Sequence, residues 1–162
     1  MFFLGLCSMF SLLAYVPQWL FGDRRDLRAA LRHGLAGGFM FTGVDHFVHT
    51  ETRYVPMMPP LLGSIATELV YVTGAAELLG ALGLVVPLAV YRRLGLPNLR
   101  WWAGIGLTLL LASVVIANIN VALQGSQVEG LELGTWYVWV RPLLQPVIMA
   151  WALYAGGIWP RE

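Results

Sequence analysis

Four polar residues, Asp45, Glu77, Asn118 and Arg141, sit inside stretches that are otherwise apolar enough to dissolve in lipid. An ionised group at the middle of a membrane helix costs about 2.5–3.5 kcal/mol on insertion scales. Groups that costly turn toward a protein interior, pair with one another, or line the path of a ligand. Two more join them by spacing: His46 follows Asp45, and Gln145 lies one turn beyond Arg141 on the same helix face. Glu77 has the chemistry of a proton carrier, or of a packing partner for a cation. Arg141 can neutralise an anionic ligand or a developing enolate or semiquinone. Equally, it can pair with Glu77 or Asp45, or reach back to the membrane surface. Asp45, His46 and His49 offer ligands for a borderline metal, with Asp45 and His49 at i, i+4. At the end of a helix, however, histidines also simply cap the interface, and the chain does not supply the spacing of a closed metal site.

These residues must be held by membrane elements. The chain is 58% hydrophobic, and its mean hydropathy is +0.69. Five stretches are long enough to span, at roughly 2–21, 28–48, 66–87, 101–124 and 137–158, in one domain over 1–162. The first lacks a basic leading region and a small-residue cleavage site, so it reads as a retained helix. Alternating strands of the outer-membrane-barrel type are absent from the pattern. Pro142, after Arg141, favours a fifth helix that begins at Pro142 rather than at Trp136.

All ten basic residues are arginine, and their placement sets an expected orientation. With five spans, Arg24, Arg25, Arg28, Arg32, Arg92, Arg93, Arg100 and Arg161 fall on one side. The opposite loops carry Glu51 with Arg53, and Glu129 with Glu132. The positive-inside rule therefore puts the N-terminus outside and the C-terminus in the cytoplasm, in a cell (inner) membrane. Arg28 and Arg32 share a face and can snorkel to the inner headgroups. Gly34 and Gly38 form a flat face for a close helix neighbour.

Depth follows from a rise of about 1.5 Å per residue. Asp45, His46, Asn118, Asn120, Arg141 and Gln145 all fall near the outer ends of their spans, and Glu77 lies near mid-membrane. Thr73, one turn before Glu77, is placed to hydrogen-bond it. The expectation is one cavity floored by Glu77 and opening outward beneath the proline-rich 56–60 loop, with Met57 and Met58 as apolar contacts.

The runs Gly43-Val44-Asp45-His46-Phe47, Tyr54-Val55-Pro56-Met57-Met58-Pro59-Pro60, Gly74-Ala75-Ala76-Glu77-Leu78-Leu79-Gly80 and Ala117-Asn118-Ile119-Asn120 appear in this order. Together they resemble the DoxX-like family of small membrane proteins, over about residues 27–154. The resemblance implies an all-α integral membrane fold, a four-helix transmembrane bundle with the first span as an additional N-terminal helix. It also implies association with membrane redox complexes, including quinone-reducing sulfur oxidation and thiol-stress systems, or, in a distant eukaryotic branch, receptor-assembly chaperoning. His46, Pro59, Glu77 and Asn118 are the family-like positions, and no agreed catalytic role comes with them. The chain's single cysteine, Cys7, cannot form a dithiol pair.

The expected function is therefore a redox-associated accessory subunit. It would bind a small apolar ligand such as a quinone at Asp45, His46, Glu77, Asn118, Arg141 and Gln145. No haem, flavin or nucleotide motif appears, so no covalent cofactor is expected and electrons would come from a partner redox or membrane protein. The lipid bilayer is the other partner, and nucleic acid is not one. Two further possibilities are a chaperone or scaffold for a partner membrane protein, which would bind the first span or the Gly34/Gly38 face, and a small isomerase using Glu77 or Asp45 for proton transfer.

Overall fold

The computed structural model describes residues 2–22, 25–124 and 135–159. Arg24, Arg161, Glu129 and Glu132 lie outside the described residues. Six α-helices follow in order: α1 (Phe2–Phe21), α2 (Leu27–Val48), α3 (Ala66–Val85), the short α4 (Leu88–Arg93), α5 (Leu99–Gln124) and α6 (Thr135–Ala155). A π-turn at Thr50–Tyr54 and 3₁₀ turns at Val55–Met57 and Pro60–Ile65 join α2 to α3. The prolines at 56, 59 and 60 explain why this connection holds no regular helix.

The described structure is helical throughout, and three segments are long and apolar enough to cross a membrane: Phe2–Phe21, Pro60–Val85 and Leu99–Gln124. The surface has the inverted polarity of a lipid-facing protein. Leu79 is 70% exposed, whereas Glu77 on the same helix is 9% exposed. Leu12, Val72, Leu109, Ile116, Leu123 and Leu143 are likewise exposed, while Asn118 and Gln145 are buried. When lipid is the solvent, exposed leucine carries no penalty and polar groups belong inside.

Helices α2, α3, α5 and α6 pack in a ring, with α1 laid along α2. Close approach is made by glycine at the α2–α3, α3–α5 and α5–α6 seams. A Cβ at Gly74 would sit 2.7 Å from His46 Cβ, and one at Gly80 would sit 2.5 Å from Leu107. One at Gly104 would sit 2.9 Å from the Ala152 carbonyl. The Gly34/Gly38 face receives α1: a side chain at Gly34 would strike Ser11, and one at Gly38 would strike Cys7. One surface expected for a partner protein is thus covered by the chain's own first helix.

Two local expectations are corrected. Helix α6 starts at Thr135 and runs through Arg141, Pro142 and Pro146. The proline rule loses because Tyr137 and Val138 are 5% and 1% exposed, packed with Met57, Val121 and Ala122, and that burial holds the first turns helical. Arg32 does not snorkel. It is 6% exposed, and its Nε donates to the Ala155 carbonyl at 2.9 Å, one of the α6 carbonyls left without a helical partner. The Trp151 indole donates to the Leu31 carbonyl at 2.9 Å, and Arg28 lies over the Tyr154 ring. Together these pin α2 to α6 at one end.

Candidate functional site

At the other end of the ring, α2 and α6 flank a cavity of about 390 Å³. Asp45, His46, Glu77, Asn118, Arg141 and Gln145 all line it. The apolar remainder of its wall includes Phe39, Leu111, Val114, Leu144 and Ile148. Phe2, Phe3 and Leu4 of α1 close its side. Phe2 packs against Phe41 and Phe3 against Phe39, with ring centroids 5.7 and 5.0 Å apart.

The wall from α2, α3 and their connection is densely bonded. Asp45 accepts from His49 Nδ1 at 2.7 Å, from the Tyr54 hydroxyl at 2.9 Å, and from Arg53 Nη1. The Tyr54 ring stacks on His46 at 3.8 Å. Burial, and secondly the bond to the Asp45 carboxylate, hold the Tyr54 phenol above its ordinary pKa, so it stays a donor. Thr42 donates its hydroxyl to Glu77 Oε2 at 2.5 Å. His46 Nδ1 donates to the Thr42 carbonyl at 2.7 Å and stands 3.8 Å from Glu77 Oε2. A neutral His46 therefore carries its lone pair on Nε2. The close α2–α3 seam at Gly43 and Gly74 is what brings Thr42 and His46 beside Glu77.

The wall from α5 and α6 differs. Among the described residues, neither Arg141 nor Asn118 makes a hydrogen bond or ion pair. Asn118 Oδ1 is buried without a partner, and so is Gln145 Oε1, although Gln145 Nε2 donates to the Leu111 carbonyl at 3.1 Å. Met57 and Met58 also line the cavity, and Asn120 Nδ2 ties their turn to α5 by donating to the Met57 carbonyl at 3.2 Å.

Several expected contacts are not made. Arg141 pairs with neither Asp45 nor Glu77: Asp45 is met by Arg53, and Glu77 by Thr42. Thr73 lines the cavity but donates to the carbonyls of Leu69 and Val70, as intrahelical threonines commonly do, and not to Glu77. Asp45, His46 and His49 do not converge on a metal site: His49 turns to Asp45, and His46 to Thr42 and Glu77. Among the described residues no group of three or more His, Cys, Asp or Glu is placed to hold a metal ion. Three residues of the site escaped the sequence reading. Thr42 lies four before His46 and was legible by helical spacing. Arg53 and Tyr54 lie in an irregular turn, where no periodicity tells direction.

A helical protein whose outside suits lipid and whose polar residues surround an internal cavity is the class that fold and site define. Within it, the chain belongs to the family described as a domain of unknown function, DUF8561, which matches residues 35–155. The match takes in every polar residue of the cavity and leaves out α1. No curated protein and no solved structure matches the chain.

Proposed function

We propose that this protein is a multi-pass inner-membrane protein of the DoxX-like type, with the bundle's four helices and α1 all spanning, the N-terminus outside and the C-terminus in the cytoplasm. Its role is that of a redox-associated accessory subunit that holds a small apolar ligand with a polar head, such as a quinone. The observation that carries this reading is the cavity of about 390 Å³, which lies within the size of small-molecule sites and combines apolar walls with convergent polar groups. A scaffold needs only a closed, fully paired core, and this core is neither. The quinone and the redox association come from the resemblance in the Asp45, Glu77 and Asn118 runs.

The test is purification in mild detergent, solvent extraction and mass spectrometry of what is released. A stoichiometric apolar molecule that is lost from a Glu77→Leu, Asn118→Leu double variant supports the reading. An empty, equally stable protein sinks it in favour of the scaffold. A second reading, proton transfer in an isomerase, is favoured by one feature: Glu77 hydrogen-bonded to Thr42, with His46 at 3.8 Å, is a carboxyl–imidazole pair facing a cavity.

A further inference from the structure

The bonding on the two walls says which end of a ligand goes where. On the α2–α3 wall the charges are met from within the protein. Asp45 has Arg53, with Tyr54 and His49 as further donors, and Glu77 has Thr42. On the α5–α6 wall, Arg141 faces the same cavity with no carboxylate paired to it among the described residues. Beside it, Asn118 is 9% exposed and makes no hydrogen bond, and Gln145 is 3% exposed with its Oε1 unmet. A guanidinium is charged at every accessible pH and presents a planar fork of donors. Arg141 is half-buried, and a cation set in a largely apolar cavity wall is stabilised when an anion meets it.

We infer that the ligand head is a carboxylate, a monoanion on an apolar body, seated on Arg141, with the Asn118 amide nitrogen beside it; Gln145, whose Nε2 is held by the Leu111 carbonyl, takes no part in gripping it. This deepens the ligand reading and rests on it. The charge count favours a monoanion: a dianionic head would bring a second negative charge toward Asp45 and Glu77, and among the described residues lining the cavity the other arginine, Arg53, is already paired with Asp45. The fork geometry suits a head with two oxygens, such as a carboxylate, which a guanidinium grips with two parallel bonds. The Asn118 amide supplies a further donor. The apolar body then lies along Phe39, Leu111 and Ile148, away from the bonded wall.

The experiment uses the full chain in nanodiscs of zwitterionic lipid. Two photoreactive ten-carbon probes, one a carboxylic acid and one the matching primary alcohol, are crosslinked and their sites mapped by mass spectrometry. The acid is expected to label cavity residues about tenfold more than the alcohol, as one charge-assisted fork against a neutral contact requires. Excess unlabelled decanoate should compete. Arg141→Gln should erase the preference, and Arg141→Lys should keep part of it. Equal labelling by acid and alcohol in the native protein, or a preference that survives Arg141→Gln, overturns the carboxylate assignment while leaving a ligand cavity. No competable labelling by either probe overturns the cavity reading itself. The comparison of probes on the native chain needs no variant to fold.

Discussion

The two walls of the cavity are built from the same kinds of residue and are in opposite states. Each has one arginine. Arg53 on the first wall is paired with Asp45 through Nη1, while its buried Nε lacks a partner. Arg141 on the second wall is paired with nothing described, and the amides beside it keep unmet oxygens. Buried polar groups that are satisfied rigidify a core, whereas unsatisfied ones mark strain or a missing partner. The difference teaches that residue type in an apolar helix does not tell structure from function. What tells them apart is whether the protein itself completes the bonds. Here the α2–α3 wall completes its own charge pair, and on the proposed ligand reading the α5–α6 wall is the one that meets the ligand.

That contrast can be broken by substitutions on either side. The largest effect is expected from Asp45→Ala, which leaves Arg53 without its carboxylate and removes the acceptor for Tyr54 and His49. Breaking one member of a largely buried pair costs about 3 kcal/mol, measurable as a lower midpoint in denaturant or heat. A midpoint unchanged from the native protein would show that the first wall is not framework. Thr42→Val removes the donor to Glu77 at nearly constant volume, and should cost about 1–2 kcal/mol.

Tyr54→Phe keeps the stack on His46 and loses only the hydroxyl to Asp45, about 1 kcal/mol. It also carries a pH signature. Because the folded-state pKa of Tyr54 is raised, its contribution is complete below the ordinary tyrosine value of about 10 and is lost as pH rises past it. The native protein should therefore lose more stability than the Phe variant in that alkaline window. A parallel decline of both would remove Tyr54 from the framework. The smallest effect belongs to the other wall. Asn118→Leu replaces an amide with no bond by an apolar group, so stability should hold or rise by under about 1 kcal/mol. A loss as large as that of Asp45→Ala would mean that the second wall is framework too, and would erase the comparison.

The cavity was legible in sequence where cost and periodicity coincide. Asp45, Glu77, Asn118 and Gln145 each interrupt a helical apolar run, and lipid leaves such residues only the interior to face. Glu68 and Glu77, nine residues and so about two and a half turns apart on α3, point to opposite faces, the first exposed and the second buried. The rest depended on partners that no local pattern names. Arg32 occupies a position where snorkelling and buried pairing have identical sequence signatures, and the choice fell to a carbonyl of Ala155, far along the chain. The start of α6 went against the pre-proline rule because Tyr137 and Val138 had a core to join. Arg53 takes its role from the π-turn that follows α2, whose shape is not written in any repeat.

The junction of α2 and α6 resembles a spring clip. One end is clamped by Arg32 and Trp151, and at the other the jaws stand apart with Phe2 and Phe3 wedged beside the gap. Arg32 and Asp45 are roughly 20 Å apart along α2, so the clamp acts as the fulcrum of a long arm. A slight tilt there becomes a large change of aperture at the jaws. Width and chemistry are thereby assigned to different residues. On the proposed ligand reading, the polar groups set what is gripped, while a distant hydrogen bond and two phenylalanines set the spacing of the helices that grip it.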